Sequence, residues 1–160
     1  MYGAKITVFN LYESSTAAIW YPHILTGVDL NTDKGQILKK YGPDSTDNAQ
    51  LHITYAEMDG QKVIVNGLTG EPALNTMGEP LPWLPPKAWK RQVNDLLDDT
   101  ITFASGDFFW DGEWTQGPVN DEDYRGGFYA YINNLHDFVY RITSVGGPYS
   151  VIPHFEILGA

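Results

Sequence analysis

The sequence predicts a mainly β fold, a small β-barrel or sandwich-like barrel of short antiparallel strands with one decorating α-helix and a long loop excursion. Three observations carry this. Apolar residues alternate with polar ones in several short runs, turn-forming pairs separate those runs, and a helical stripe stands out at one place only. At 160 residues, 42% hydrophobic and 14% aromatic, the chain is expected to form a single domain, 1–160, with an ordered core.

Lys5 to Tyr12 (KITVFNLY) alternates as a first strand. The stretch from Ala17 to Leu30 reads as one or two extended pieces, because Pro22 and Gly27 forbid a helix, and 31–35 reads as a turn. Leu51, Ile53 and Tyr55 alternate with His52 and Thr54, and Asp59-Gly60 leads into Lys62 to Val65, so 51–65 predicts a two-residue hairpin. Residues 67–86 have no stable period and carry Pro72, Pro80, Pro82, Pro85 and Pro86, which makes them a long excursion.

Pro85-Pro86 opens the predicted helix, Lys87 to about Asp98, with Trp89, Val93, Leu96 and Leu97 as its apolar stripe. Its cations lie early and Asp98 and Asp99 late, against the helix dipole, so packing must hold it. Ile101 to Phe103 and Phe108 to Trp110 read as short strands, Asp111-Gly112 as a second tight turn, and Tyr129 to Leu135 as a short helix or irregular piece. At the C-terminus, Phe138, Tyr140 and Ile142 oppose Val139, Arg141, Thr143 and Val145. Gly146-Gly147-Pro148 breaks that run, and Val151, Phe155 and Ile157 then share a face opposite His154 and Glu156. Pro153 points to an edge or a bulge, and the chain is expected to finish in an antiparallel hairpin.

The chemistry is sparse. There is no cysteine, hence no disulfide, thiolate metal site or cysteine nucleophile. His23, His52, His136 and His154 stand far apart in sequence, without the short spacings of zinc sites. Asp29, Asn31 and Asp33 open like a calcium loop, but Lys34 and Lys40 occupy its glycine and closing glutamate positions; Asp121 and Asp123 fail likewise at Ile132. No nucleophile elbow, phosphate loop or dinucleotide fingerprint occurs. Asp107, Asp111 and Glu113 among Phe108, Phe109, Trp110 and Trp114 allow a sugar site, which keeps a carbohydrate-binding or adhesion β-sandwich as the alternative reading. A formal charge of −10 argues against wrapping nucleic acid, while suiting a surface past which DNA slides. No apolar run of membrane-spanning length and no charged-then-apolar leader is seen, so synthesis in the cytoplasm is expected.

Several ordered segments carry a resemblance: ITVFNLYES at Ile6 to Ser14, the run from Trp20 to Val28, an acid-Ser-Thr segment before a strand (Asp44 to Tyr55), and Pro-Pro-Lys-x-Trp at Pro85 to Trp89. Gly106 to Trp110, then DFVYRITSV with a closing Pro-His-aromatic-Glu segment, complete the series. In this order the chain resembles the minor capsid proteins of head and neck gene cassettes of tailed phages and prophages of Gram-positive bacteria, head-completion or stopper proteins. It departs from that pattern in extra length between Tyr55 and Pro85.

The resemblance implies a virion protein at the head-tail interface: no enzyme, no cofactor, and a homo-oligomeric ring of roughly six or twelve copies. Its partners would be the portal or adaptor ring and tail proteins, with DNA passing through unspecifically. On this reading Leu81, Trp83, Leu84, Trp110 and Trp114 are candidate inter-subunit contacts. Asp95, Asp98, Asp99, Asp111 and Glu113 are candidate lumen-facing acids, with Asp121, Glu122 and Asp123 more at home on an outer loop.

Overall fold

A computed structural model describes residues 2–32 and 48–160. Among these residues nine strands form one antiparallel system: β1 (Ala4–Glu13), β2 (Ala18–Asn31), β3 (Ala49–Met58), β4 (Gln61–Val65), β5 (Pro82–Trp83), β6 (Phe108–Trp110), β7 (Val119–Asn120), β8 (Val139–Tyr149) and β9 (His154–Gly159). Six of them close a barrel in the order β1-β2-β3-β9-β8-β6, with β6 returning to β1. The expected small antiparallel barrel is therefore the fold. β4 and β5 extend it beyond β3, and β7 lies against the start of β2.

β2 runs unbroken through Pro22 and Gly27. Gly27 is the extra residue of a bulge, since Ala4 faces Val28 while Lys5 faces Thr26, and its φ is +66°. A Cβ there would meet the Asn66 carboxamide at 2.0 Å, so both conformation and space demand glycine. The β3–β4 hairpin turns on Asp59-Gly60, both at positive φ, as the Asp-Gly pair predicts. The 31–35 turn lies mostly outside the described residues.

Alternation on the wall β1–β6–β8 sorts side chains into two cores. Ile6 and Val8 of β1, Phe109 of β6 and Tyr140 of β8 join Leu25, Leu51, Ile53, Phe155 and Ile157 inside the barrel. Phe9, Phe108 and Val139 point outward and are covered by a helix, α3 below, with Trp20 and Val119. Phe103 fills the interior against Phe155, so side chains pack the inside of the barrel.

The helical expectation needs correction. Lys87 to Asp98 is two single turns, α1 (Pro86–Lys90) and α2 (Asp95–Asp99), broken where Asn94 takes φ +53°. Trp89 and Leu97 are buried against Tyr21, while Val93 and Leu96 of the same stripe are exposed. The unfavourable dipole placement of the charges and a β-branched residue just before the left-handed Asn94 leave nothing to carry the helix across. The longest helix among the described residues is instead α3 (Phe128–Leu135), which buries Phe128 and Ile132.

Other differences are local. Ile101 to Phe103 is buried but makes only an isolated bridge, Ile101 with Trp83. Asp111-Gly112 is a bend that joins no hairpin, and Gly112 lies against the Trp110 ring. β8 continues through Gly146-Gly147-Pro148 with register shifts and turns only at 150–153, and Phe138 is exposed at φ +62°. β9 is interior to the sheet, between β3 and β8, because Pro153 falls in the turn. The excursion folds back along β4 through bridges Val65 to Pro72 and Leu74 to Pro80, then β5.

Candidate functional site

Three projections carry large apolar side chains into solvent. The tip between β8 and β9 exposes Val151 by 83% and Ile152 by 77%, the excursion exposes Leu68, Leu74 and Met77, and the α1–α2 segment exposes Val93 and Leu96. Ile152 sits at φ +54°, a costly conformation for a β-branched residue. The tip is held nonetheless: the His154 Nδ1 donates to the Ile152 carbonyl at 2.6 Å, and Tyr55 donates through its N–H to Pro153 and its hydroxyl to the Tyr149 carbonyl.

The candidate contact residues lie in or pack against the chain's own core clusters. Leu81 is 2% exposed and belongs to the barrel interior, where Trp83 packs on Phe155 with ring centroids 5.0 Å apart. Leu84 is partly buried beside Tyr21, Trp89 and Leu97. Trp110 stacks on His136 at 4.3 Å, and Trp114 packs edge-on against Phe9 and Phe128 while its indole N–H donates to the Gly117 carbonyl. The Trp83 and Trp110 rings thus lie against other side chains, while Trp114 is only partly buried.

The acids divide. Asp95 is exposed and Asp98 half-buried on α2, whereas Asp99 is buried and accepts a short hydrogen bond from the Thr76 hydroxyl. Asp98 is held above the usual carboxylate range, by burial first and then by Asp99 and Asp95. Asp111 is exposed, and Glu113 pairs with Lys5 at 2.7 Å. In the 121–123 triplet, Asp121 is committed to structure: its Oδ1 accepts from the Trp20 indole at 2.9 Å and from the Phe128 N–H at 2.8 Å, so it caps α3. Glu122 and Asp123 are exposed.

The fold also assembles polar groups that the sequence left scattered. Asp107 is 3% exposed, accepting from the Leu11 N–H at 3.0 Å and from Asn10 Nδ2 at 2.9 Å, and Asn10 in turn bonds both backbone groups of Thr102. Burial pushes its carboxyl up to about 6 against those hydrogen bonds. His23, buried on β2, is lowered to about 3 by desolvation. The β3–β9 ladder sets His52 opposite Glu156, and Glu156 Oε1 lies 3.4 Å from His52 Nε2 and 3.5 Å from His154 Nε2. Alternation places His154 and Glu156 on one face, but only the pairing brings His52 to them. Among the described residues no group of three His, Asp or Glu side chains is placed to hold a metal ion.

No curated protein and no solved structure matches the chain. A family model matches it over residues 1–160, so the chain belongs to that family, described as a family of unknown function (DUF6751).

Proposed function

We propose that the chain is a structural subunit of the head-tail connector of a tailed phage, a head-completion or stopper ring between the portal or adaptor and the tail. The observation that carries this reading is the set of exposed apolar side chains on separate projections of a packed barrel, Val151 and Ile152 on the hairpin tip and Leu68, Leu74 and Met77 on the excursion. Isolated monomers rarely leave such groups in water, and a closed ring needs two unlike surfaces on every copy. The ordered resemblance along the chain supports the same reading. Because side chains fill each barrel, DNA would pass through the middle of the ring, between copies, where an excess of ten negative charges per subunit opposes phosphate adhesion.

The test is removal of the gene from the phage or prophage that encodes it, with electron microscopy of induced particles. DNA-filled heads without tails, and a ring of this protein at the neck of complete particles, are the expected results. Normal infectious yield without the gene, with the protein missing from purified virions, overturns the proposal.

A further inference from the structure

One side of β2 pairs with β1 from Ala18 to Val28, but its other side meets β7 only at Ile19 and Trp20 and β3 only from Asp29 to Asn31. Gly67 donates to the Gly27 carbonyl at 2.8 Å and covers one end of the interval. On that second side, residues 21–26 therefore have no strand beside them among the described residues. That is roughly 20 Å of extended backbone, long enough to template a strand from elsewhere.

Two cavities run along this edge. One, of about 360 Å³, is lined by Pro22, His23, Ile24, Leu74, Asp98 and Trp114 among others; the next, of about 490 Å³, is lined by Ile19, Tyr21, Asn94, Asp95, Asp98 and Pro118. The two adjoin at Asp98, which borders both, and together they line the groove beside this edge. Asp95 and Asp98 give it negative charge, and no Lys, Arg or His pairs with either among the described residues. The charge is felt locally: Tyr21 is shifted upward by burial and then by Asp98, Tyr12 and Asp95. His23 borders the same groove but is buried, and its Nε2, which has no hydrogen-bond partner, is shut away from solvent.

We infer that this groove receives an extended, basic segment of another polypeptide, which adds as a strand along residues 21–26 of β2 and sets a lysine or arginine against Asp98 and Asp95. Main-chain hydrogen bonds supply affinity and the acids supply the choice of partner. Pro22 brings no N–H to the edge, which limits indiscriminate pairing. The inference does not depend on the neck-ring reading.

The probe is a fluorescein-labelled heptapeptide alternating lysine and valine, titrated into the whole protein by fluorescence anisotropy. Controls are the glutamate-for-lysine peptide and the lysine peptide N-methylated at alternate amides. The lysine peptide is expected to bind, N-methylation to weaken it about tenfold or more, and the Asp95→Asn, Asp98→Asn double variant to do the same. Hydrogen exchange on the unaltered protein provides a readout independent of any variant, with slowed amides expected within residues 21–26. No binding by the lysine peptide, equal binding by the glutamate or N-methylated peptide, or protection confined to other residues would each overturn the inference.

Discussion

The wall β1–β6–β8 is packed on both faces, and the two faces are built from different chemistry. Inside, Ile6, Val8 and Phe109 meet residues that arrive from β3 and β9, with Asn10 of β1, His23 of β2 and Asp107, just before β6, buried nearby. Outside, Phe9 and Phe108 stack at 4.5 Å and meet Phe128, Trp20, Tyr129 and Trp114 in a shelf of rings supplied largely by residues 108–132. The interior closes through ladders between distant strands and contains groups that titrate. The shelf closes through aromatic contacts, within residues 108–132 and from these to Phe9 and Trp20. Stability and pH sensitivity are thereby assigned to the inner face, and the outer face becomes a layer that can loosen separately.

The largest expected effect tests that separation. Phe155 is fully buried among Tyr55, Trp83 and Phe103, with ring centroids 5.0–5.2 Å away, and Phe128 is fully buried in the shelf. Replacing either by Ala removes about 3–5 kcal/mol of packing, a large share of a domain's ordinary margin. Phe155→Ala should lower the urea midpoint for the whole barrel. Phe128→Ala should instead release α3 first, so that its amides exchange at denaturant concentrations where β3 and β9 remain protected. Simultaneous exchange of α3 and β9 in Phe128→Ala would show one cooperative unit and remove the distinction.

A smaller net effect is read by pH at the inner face, where two buried groups act in opposite senses. His23 is lowered to about 3 by burial, so the folded state resists its protonation; its contribution is complete above about 6.5 and is lost as pH falls toward 3, on the order of 4–5 kcal/mol in full. Asp107 runs the other way. Raised to about 6, its protonated form is favoured by the fold, so stability present below about 4 is lost as pH rises through 6, on the order of 3 kcal/mol. Between pH 4 and 6 the two slopes oppose each other. Asp107→Asn should expose a stability that rises with pH across that window, His23→Gln one that falls relative to the parent, and urea titrations at several pH values read both. Curves that stay parallel to the parent would mean that neither group couples to folding.

What the sequence made legible follows the range of the interaction. The β3–β4 hairpin was readable because Asp59-Gly60 fixes turn and register within four residues, and β6 was readable from Phe108 to Trp110 because three consecutive aromatics favour a strand. The Lys87 to Asp98 stripe was half right: Trp89 and Leu97 are the buried members, while the break at Asn94 sends Val93 and Leu96 outward. Barrel closure was readable only as a class. The pairings of β2 with β3 and of β6 with both β1 and β8 join segments tens of residues apart, and no local pattern encodes them. For the same reason the meeting of Asn10 with Asp107, the clustering of His52 with His154 and Glu156, and the open edge of β2 had no sequence signal beyond the correct alternation of each strand.

The smallest effect concerns how the loop after β6 is fastened across the outer face. Two ties are available: the Lys5–Glu113 ion pair, and buried Thr7, whose hydroxyl donates to the Gly112 carbonyl at 2.8 Å and accepts from the Trp114 N–H at 3.0 Å. The ion pair is short, but its side chains are 50% and 45% exposed, so water and salt screen it and Glu113→Gln should cost less than about 1 kcal/mol. Thr7 is fully buried, and Thr7→Val strands two backbone groups without partners, which costs about 1–3 kcal/mol. Thermal melts of both variants in low and high salt rank the ties directly. Thr7→Val should lose more and be indifferent to salt, whereas the small loss in Glu113→Gln should vanish at high salt. A reversed order would place the loop's attachment in the exposed charge pair, and Glu113 would then be too firmly engaged with Lys5 to present its charge to a DNA passage.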